Sequence, residues 1–371
     1  MKAIYADYAA ATPTDPRVIA RITEVAKQFS GNPSSRHSFG QAAESELTIA
    51  RGQIAQFLNA KETEIYFTGS GTESNNLAIL GIARANRKIG NHIITTTIEH
   101  PSVLGACQAL ERDGFSVTYL PVDRNGQVSI KDFQAAITPK TILATIHSAN
   151  SEIGVTQPVT ELAKIASERK VLFHTDACQA ANYLPLDVQV PGIDALTLNG
   201  SKLYGPRGTA VLFVRDGVSI FPLVYGGGQE QSLRSGTENL PGIAGLALAV
   251  QIAEQQRDRN SVRIGKLRDQ LEEALIKTGS QVNAASGQRL PNHLSVIIPT
   301  QETDLVAALN REGIAVSSGS ACSSRSQTDS HVLQAIGLTS DQTNKTIRIS
   351  LGRGTTAEEI KKIVKAVQAI V

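Results

Sequence analysis

No apolar run in this chain is long enough to span a bilayer, so a membrane-spanning helix is not expected. Charge of one sign is missing as well. Thirty-six basic residues stand against 34 acidic ones, a formal net charge of +2, which speaks against a nucleic-acid or membrane footprint. Cysteine is scarce: the three present, Cys107, Cys178 and Cys322, are odd in number and far apart. That argues against a disulfide framework. With no C-x-x-C pair, no metal site is expected, and at least one thiol is left free to react. There is no internal repeat and no low-complexity tract. The first residues reach Asp7 after only a short apolar stretch, which is not a signal-peptide pattern, so a cytoplasmic protein is expected.

What is present is an ordinary globular composition: 371 residues, 41% of them hydrophobic. Such a length suggests two or three domains and buries a large core without disulfides or metals. Short apolar runs alternate with amphipathic stretches from about residue 60 to about residue 250. The runs Glu64–Thr68, His92–Thr96, Ile142–Ile146, Lys170–Phe173 and Ala195–Leu198 read as strands. Helices follow the first two, one carrying Leu77, Ile79 and Leu80 and one beginning near Pro101. Strands apolar on both faces, alternating with helices, predict a mainly parallel sheet in an α/β layer fold. From Gly242 to Lys277 the pattern becomes one long helical stretch, read as the passage into a second, smaller domain. That domain is expected to contain strands at His293–Ile298 and Thr346–Ser350 and a last helix from about Thr356. Two loops, Gly226–Ser232 and Ser317–Ser326, are rich in glycine or serine and read as flexible and exposed.

Three constellations could carry chemistry. Thr68-Gly69-Ser70-Gly71-Thr72-Glu73-Ser74 follows a strand and opens a helix, where free amides and the helix dipole favour an anion. It is not a Walker loop, and helix capping alone would account for it equally well. His174-Thr175-Asp176-Ala177-Cys178-Gln179 ends an apolar strand at the sheet edge where α/β proteins bind ligands. A carboxylate there can keep a pyridine nitrogen protonated, or it can simply cap the next helix. Asn199-Gly200-Ser201-Lys202-Leu203-Tyr204-Gly205 places a lysine in a small-residue loop after a strand. A partly desolvated lysine there can form a Schiff base; the alternative is an ordinary surface lysine. Together they supply a phosphate cradle, a ring-nitrogen carboxylate and a covalent anchor, which are the parts a pyridoxal-phosphate site requires. His100, after the strand His92–Thr96, could stack on the ring or act as acid or base.

At these residues the sequence resembles the fold-type I pyridoxal-phosphate enzymes, specifically the NifS/IscS-like cysteine desulfurases of the class-V aminotransferase family. The resemblance covers essentially the whole chain. Its discriminating blocks are Arg234-Ser235-Gly236-Thr237, Ser317-Ser318-Gly319-Ser320-Ala321-Cys322 and Arg348-Ile349-Ser350-Leu351-Gly352. It implies a large domain over residues 15–255 with a mainly parallel seven-stranded sheet flanked by helices. A smaller α+β domain, residues 1–14 and 256–371, would carry the catalytic cysteine loop. It implies pyridoxal 5′-phosphate as cofactor, L-cysteine as substrate, L-alanine as product and Cys322 as the persulfide-forming nucleophile. Lys202 would anchor the cofactor, Asp176 would pair with the pyridine nitrogen, and His100 would stack on the ring. Gln179 and Asn150 would also contact the cofactor. Gly71, Thr72, Asn199 and Ser201 would hold its phosphate, helped by Thr237 from the partner subunit of a homodimer. Arg348, Asn32 and Ser151 would bind the substrate, and a protein such as an iron–sulfur scaffold would accept the sulfur.

The pattern departs from the family at Ser151, where a second Asn is usual, and at Asn199 and Ser201, where Ser and His are usual. These changes bear on turnover and cofactor affinity more than on reaction type. Cys178 stands where threonine is usual, and Cys107 is expected in the core. The chain ends at Val371 without the extension some relatives use for scaffold binding, so that contact does not carry over. A cysteine/cystine carbon–sulfur lyase or selenocysteine lyase on the same scaffold is the alternative enzyme. A non-catalytic protein of the same fold is the alternative from another class.

Overall fold

The computed structural model describes residues 3–319 and 330–371; Cys322 lies outside the described residues. The chain begins with a two-residue strand, β1 (Ile4–Tyr5), followed by helices α1 (Pro16–Gln28) and α2 (Ser38–Leu58). A seven-stranded sheet follows, built from β2 (Ile65–Thr68), β3 (His92–Thr96), β4 (Ser116–Leu120), β5 (Thr141–Thr145), β6 (Leu172–Asp176), β7 (Ala195–Asn199) and β8 (Ala210–Val214). Their order is β2-β8-β7-β6-β5-β3-β4, and only β8 runs against its neighbours. The α/β layer fold with a mainly parallel sheet is therefore what the alternating pattern implied. Helices α3 (Gly71–Ala85), α4 (Pro101–Arg112), α5 (Ile130–Ala136) and α6 (Val159–Glu168) connect the strands. Strands β3, β5 and β8 are buried at every position; β8, an unbroken apolar run, is one the sequence reading did not name. Strand β4, at the sheet edge, is largely half-exposed and polar, and the sequence pattern passed over it.

A second sheet uses β9 (Gln281–Val282), β10 (His293–Ile297), β12 (Ser317–Ser318) and β13 (Thr346–Ser350) in the order β12-β13-β10-β9, all antiparallel. Strand β11 (Ile314–Ala315) pairs in parallel with β1, so the first residues of the chain join this side of the molecule. One 37-residue helix, α7 (Leu240–Ile276), serves both cores. Its first part, from Leu240 to Ala253, packs into the core of the large sheet together with Phe133, Phe173 and Phe213. Its last part, from Ile264 to Leu275, packs against Leu294, Val296, Ile347 and Ile349. The final helix, Ala357–Gln368, closes that second core and is capped by Thr356. No helix among the described residues is long and apolar enough to cross a membrane.

The loop Gly226–Ser232 is exposed at most positions, as its composition suggested, but it is anchored at one of them. Glu230 is buried, and Glu230, Gln231 and Ser232 all hold left-handed backbone, with φ of 47°, 54° and 68°. The reason lies far off in sequence. Arg51 of α2 donates from Nη1 (2.9 Å) and Nη2 (2.7 Å) to the Glu230 carboxylate, which also accepts from the Phe67 amide at 2.8 Å. A buried carboxylate with three donors fixes the backbone that carries it.

Candidate active site

Each constellation ends a strand of the large sheet, and the parallel order brings those ends to one edge. After β2, Ser70 caps α3 by accepting from the Glu73 amide at 3.1 Å. Capping leaves the Gly71 and Thr72 amides without an intrahelical acceptor, at the positive end of the helix. Glu73 braces the turn from behind: it accepts from the Gly69 amide (2.9 Å) and from Arg234 Nε (2.7 Å). A Cβ added at Gly71 would lie 3.0 Å from Cys178 Sγ and 3.3 Å from Asn199 Nδ2. Glycine there leaves the amides open to an anion.

At the end of β6, Asp176 is buried. Its Oδ1 accepts from the Cys178 amide (3.0 Å) and its Oδ2 from Asn75 Nδ2 (2.7 Å). Burial works to raise its pKa, but the neighbouring His100 and these hydrogen bonds outweigh it and hold the carboxyl below its ordinary value. Asn75 Nδ2 also donates to Ser102 Oγ (2.9 Å), and Ser102 contacts His100 Nδ1 through its hydroxyl (2.7 Å) and its amide (3.1 Å). Asp176 and His100 are thus tied into one network. Burial, partly opposed by Asp176, lowers the pKa of His100 and favours the neutral ring. Beneath the site, Thr95, Thr145, His174 and Thr197 form a buried hydrogen-bonded row across the strands, and burial pushes His174 down to about 4.

After β7, Lys202 sits on a single 3-10 turn, and its Nζ donates to the carbonyls of Ala9 (3.0 Å) and Ala10. Gln179 Nε2 donates to the same Ala9 carbonyl (3.0 Å). Arg348 comes from β13 and is buried, because all five residues of that strand are. Its Nη2 donates to Asp7 Oδ1 (2.6 Å) and Ser317 Oγ (3.1 Å), and its Nη1 to the Ser151 carbonyl (2.9 Å). Sequence reading missed Asp7, Asn75 and Ser102. Asp7 lies 341 positions from Arg348, and only the fold reveals that pairing.

Gly71, Thr72, His100, Asn150, Ser151, Asp176, Gln179, Asn199, Lys202 and Arg348 all line one cavity of about 190 Å³. Asn150 shapes its wall, with the side chain engaged by the backbone of Ile98, Glu152 and Ile153. Three of the expected residues are placed elsewhere. Ser201 does not line the cavity; its hydroxyl turns to Asn199 Oδ1 at 3.1 Å. Asn32 is exposed and caps its own turn by accepting from the Ser34 amide. Thr237 is exposed on the loop that follows the left-handed turn. Cys322 lies outside the described residues. Of the other thiols, Cys107 is buried in the core and pushed up to about 12 by burial, as expected of a packed residue. Cys178 lines the cavity but is held well above its ordinary value by burial and by Asp176. Neither is poised as a thiolate.

The donor set can be tested against a phosphorylated pyridine aldehyde. An amide-lined helix start suits the phosphate, a buried ionised carboxylate suits a protonated ring nitrogen, and a primary amine suits the aldehyde. Three buried polar atoms of the lining residues, Asn75 Oδ1, His147 Nε2 and Arg348 Nε, have no hydrogen-bond partner. Buried groups of this kind normally find partners, so their presence suits a cavity built for a polar occupant. The residues fit the group.

Comparison with known proteins points the same way. The profile of Aminotransferase class-V matches residues 4–363. The cysteine desulfurase IscS of Methanosarcina thermophila is 44% identical over all of this chain and 92% of its own. The putative cysteine desulfurase IscS 1 of Bacillus subtilis is 44% identical over all of this chain and 99% of its own. Among solved structures, a NifS-like protein superposes with a TM-score of 0.93 at 34% identity, covering 99% of this chain and 98% of that one. The NifS-like protein of Rickettsia africae gives 0.89 at 32% identity, covering 99% of both chains.

Proposed function

From the premise that this chain belongs to the class-V aminotransferase family, in its cysteine desulfurase branch, we propose that it binds pyridoxal 5′-phosphate in the cavity around Lys202 and transfers the sulfur of L-cysteine to Cys322. The observation that carries this reading is the convergence of Lys202, Asp176, the Gly71–Thr72 amides and Arg348 on one cavity, from three strand ends and a second sheet. When bound, the cofactor supplies an electron sink that makes the substrate α-hydrogen acidic.

The remaining work falls to the chain. Lys202 holds the cofactor and, once displaced by substrate, moves a proton at the substrate α-carbon with its Nζ. Asp176 keeps the ring nitrogen protonated, and His100 supports the ring as a neutral imidazole. Arg348 orients the substrate through its carboxylate, which requires Asp7 to share or yield the guanidinium. The Cys322 thiolate attacks the substrate sulfur. An S–S bond forms, the C–S bond breaks, and its electron pair returns to the carbon skeleton, which takes up protons to become L-alanine. Cys322 is left as a persulfide for an acceptor such as an iron–sulfur scaffold protein. Thr237 completes the phosphate site of a second copy of the chain in a homodimer.

The test is product analysis of the holoenzyme with L-cysteine. Alanine together with a persulfide on Cys322 is expected, and Cys322→Ser is expected to lose both. Pyruvate and sulfide as products, or unimpaired alanine formation by Cys322→Ser, would overturn the sulfur-transfer reading.

A further inference from the structure

Two buried residues at the cavity have no part in the assignments so far. His147 lies two residues beyond β5, and Glu99 precedes His100. The Ser148 amide donates to the Asp176 carbonyl at 2.9 Å. His147 and Asp176 therefore leave adjacent parallel strands side by side, and both line the cavity. The Glu99 side chain is fully buried and its carboxylate collects three groups. It accepts from Thr96 Oγ1 (2.7 Å), from the His147 amide (3.0 and 3.2 Å to its two oxygens) and from His147 Nδ1 (2.9 Å). This grip fixes the imidazole through Nδ1 and its own backbone. The other ring nitrogen, Nε2, is buried and has no partner. A ring held so firmly by one nitrogen, with the other left unmatched at a cavity wall, is arranged for something the cavity receives. Burial works against a charge on His147, but the carboxylate and hydrogen bond of Glu99 outweigh it and raise its pKa.

We propose that Glu99 and His147 form a second charged pair of the cofactor cavity, in which His147 is a positioning residue. Its imidazolium stands beside Asp176 and sets the electrostatic field at the pyridine-nitrogen end of the bound cofactor. The proposal rests on the reading that the cavity holds pyridoxal phosphate. Asp176 alone would make that end of the cavity anionic; a neighbouring cation offsets part of the charge and lowers the basicity of the carboxylate. The other titratable or charged groups around the pair are His100, Cys178, Lys202 and Arg348 of the cavity wall, Cys107 and Glu152 near Glu99, and His331, whose Nε2 contacts the Glu99 carbonyl at 2.9 Å. Of these, Cys178 and His100 are disfavoured as ions by burial.

Two measurements test it. In ¹⁵N-histidine spectra of the wild-type holoenzyme titrated with pH, assigned by comparison with His147→Gln, both ring nitrogens of His147 are expected to stay protonated to higher pH than those of a free histidine. A His147 ring that loses its proton at or below the pH of a free histidine would overturn the proposal. In the second, the visible absorption of the bound cofactor is titrated in wild type, His147→Gln and the double variant Glu99→Gln/His147→Met. The double variant removes the pair without stranding a buried carboxylate. It removes a charge of each sign and should shift the apparent pKa of the absorption change less; His147→Gln loses one positive charge and is expected to raise it by about one unit or more. It is also expected to lower kcat with little change in the KM for L-cysteine. Variants that titrate as wild type refute the proposal. Wild-type apoprotein that forms no absorption band with pyridoxal phosphate refutes the cofactor reading instead.

Discussion

Replacing Glu230 by Gln removes one charge and almost no volume, which makes it a sharp probe of the left-handed turn. The Glu230 side chain is 2% exposed and paired with Arg51, which also stacks over the Phe67 ring at 4.8 Å. The turn it anchors holds three consecutive non-glycine residues at positive φ. At roughly 1–2 kcal/mol for each such residue, roughly 3–6 kcal/mol of backbone strain is stored there. Removing one partner of a buried ion pair costs about 3–5 kcal/mol, because the remaining charge is left unmatched. With an unfolding entropy of about 2 cal/mol/K per residue over 371 residues, that loss lowers the thermal midpoint by about 4–6 °C. Ser232 is exposed, so Ser232→Gly relieves part of the strain without removing a buried contact. It should raise the midpoint by about 1 °C, alone and in the Glu230→Gln background. The assay is scanning calorimetry of the holoenzyme at one protein concentration and saturating cofactor, since bound ligand shifts the midpoint. A Glu230→Gln midpoint within 1 °C of wild type would show that the ion pair does not hold the turn, and the strain argument would fail.

Glu152 offers a test by pH. Burial pushes its carboxyl up to about 7, against the opposing effects of Ser330 and Arg348. The folded state therefore favours the neutral form, and the stability it contributes below the unfolded value is lost as pH rises to about 7. Glu152→Gln should reduce the stability lost between pH 5 and pH 8 by about 2–3 kcal/mol in urea unfolding, and parallel pH profiles would contradict this. Gly71→Ala should weaken cofactor binding to the apoprotein about tenfold, equivalent to about 1.4 kcal/mol, because its Cβ enters the space between Cys178 and Asn199. Adding Cys178→Ala should recover part of the loss, both measured by titrating the apoprotein with cofactor and following its absorption; no recovery would place the obstruction elsewhere.

The parts legible in the sequence share a physical reason. A strand such as β5 is buried on both faces and Ile142–Ile146 reads as a mostly apolar run, while β4 is half-exposed at an edge and does not. Thr72, Asp176 and Lys202 could be read because each stands at or just after a strand end and the ends of parallel strands meet at one edge. The residues missed depend on pairings that local pattern does not encode. Arg348 meets Asp7 across 341 positions and Arg51 meets Glu230 across 179. The glycines around Glu230 suggested mobility, when the sequence signal that mattered was a lone acid among them. His147 was overlooked because one histidine near a strand end carries no information until Glu99 is seen beside it.

The contacts of residues 4–12 bear on the order in which the protein can be completed. Ile4 and Tyr5 pair with Ile314 and Ala315, Asp7 with Arg348, the Ala9 amide with Ser350 and the Ala9 carbonyl with Lys202. On the ribosome these first residues emerge long before any of those partners. At about 5–20 residues per second, Asp7 waits about 20–70 s for Arg348 to be made. The large sheet can form meanwhile, but the cavity stays unfinished until the last strand returns to the beginning of the chain. A released fragment lacking that strand would contain Lys202 and Asp176 yet have no closed site in which to use them.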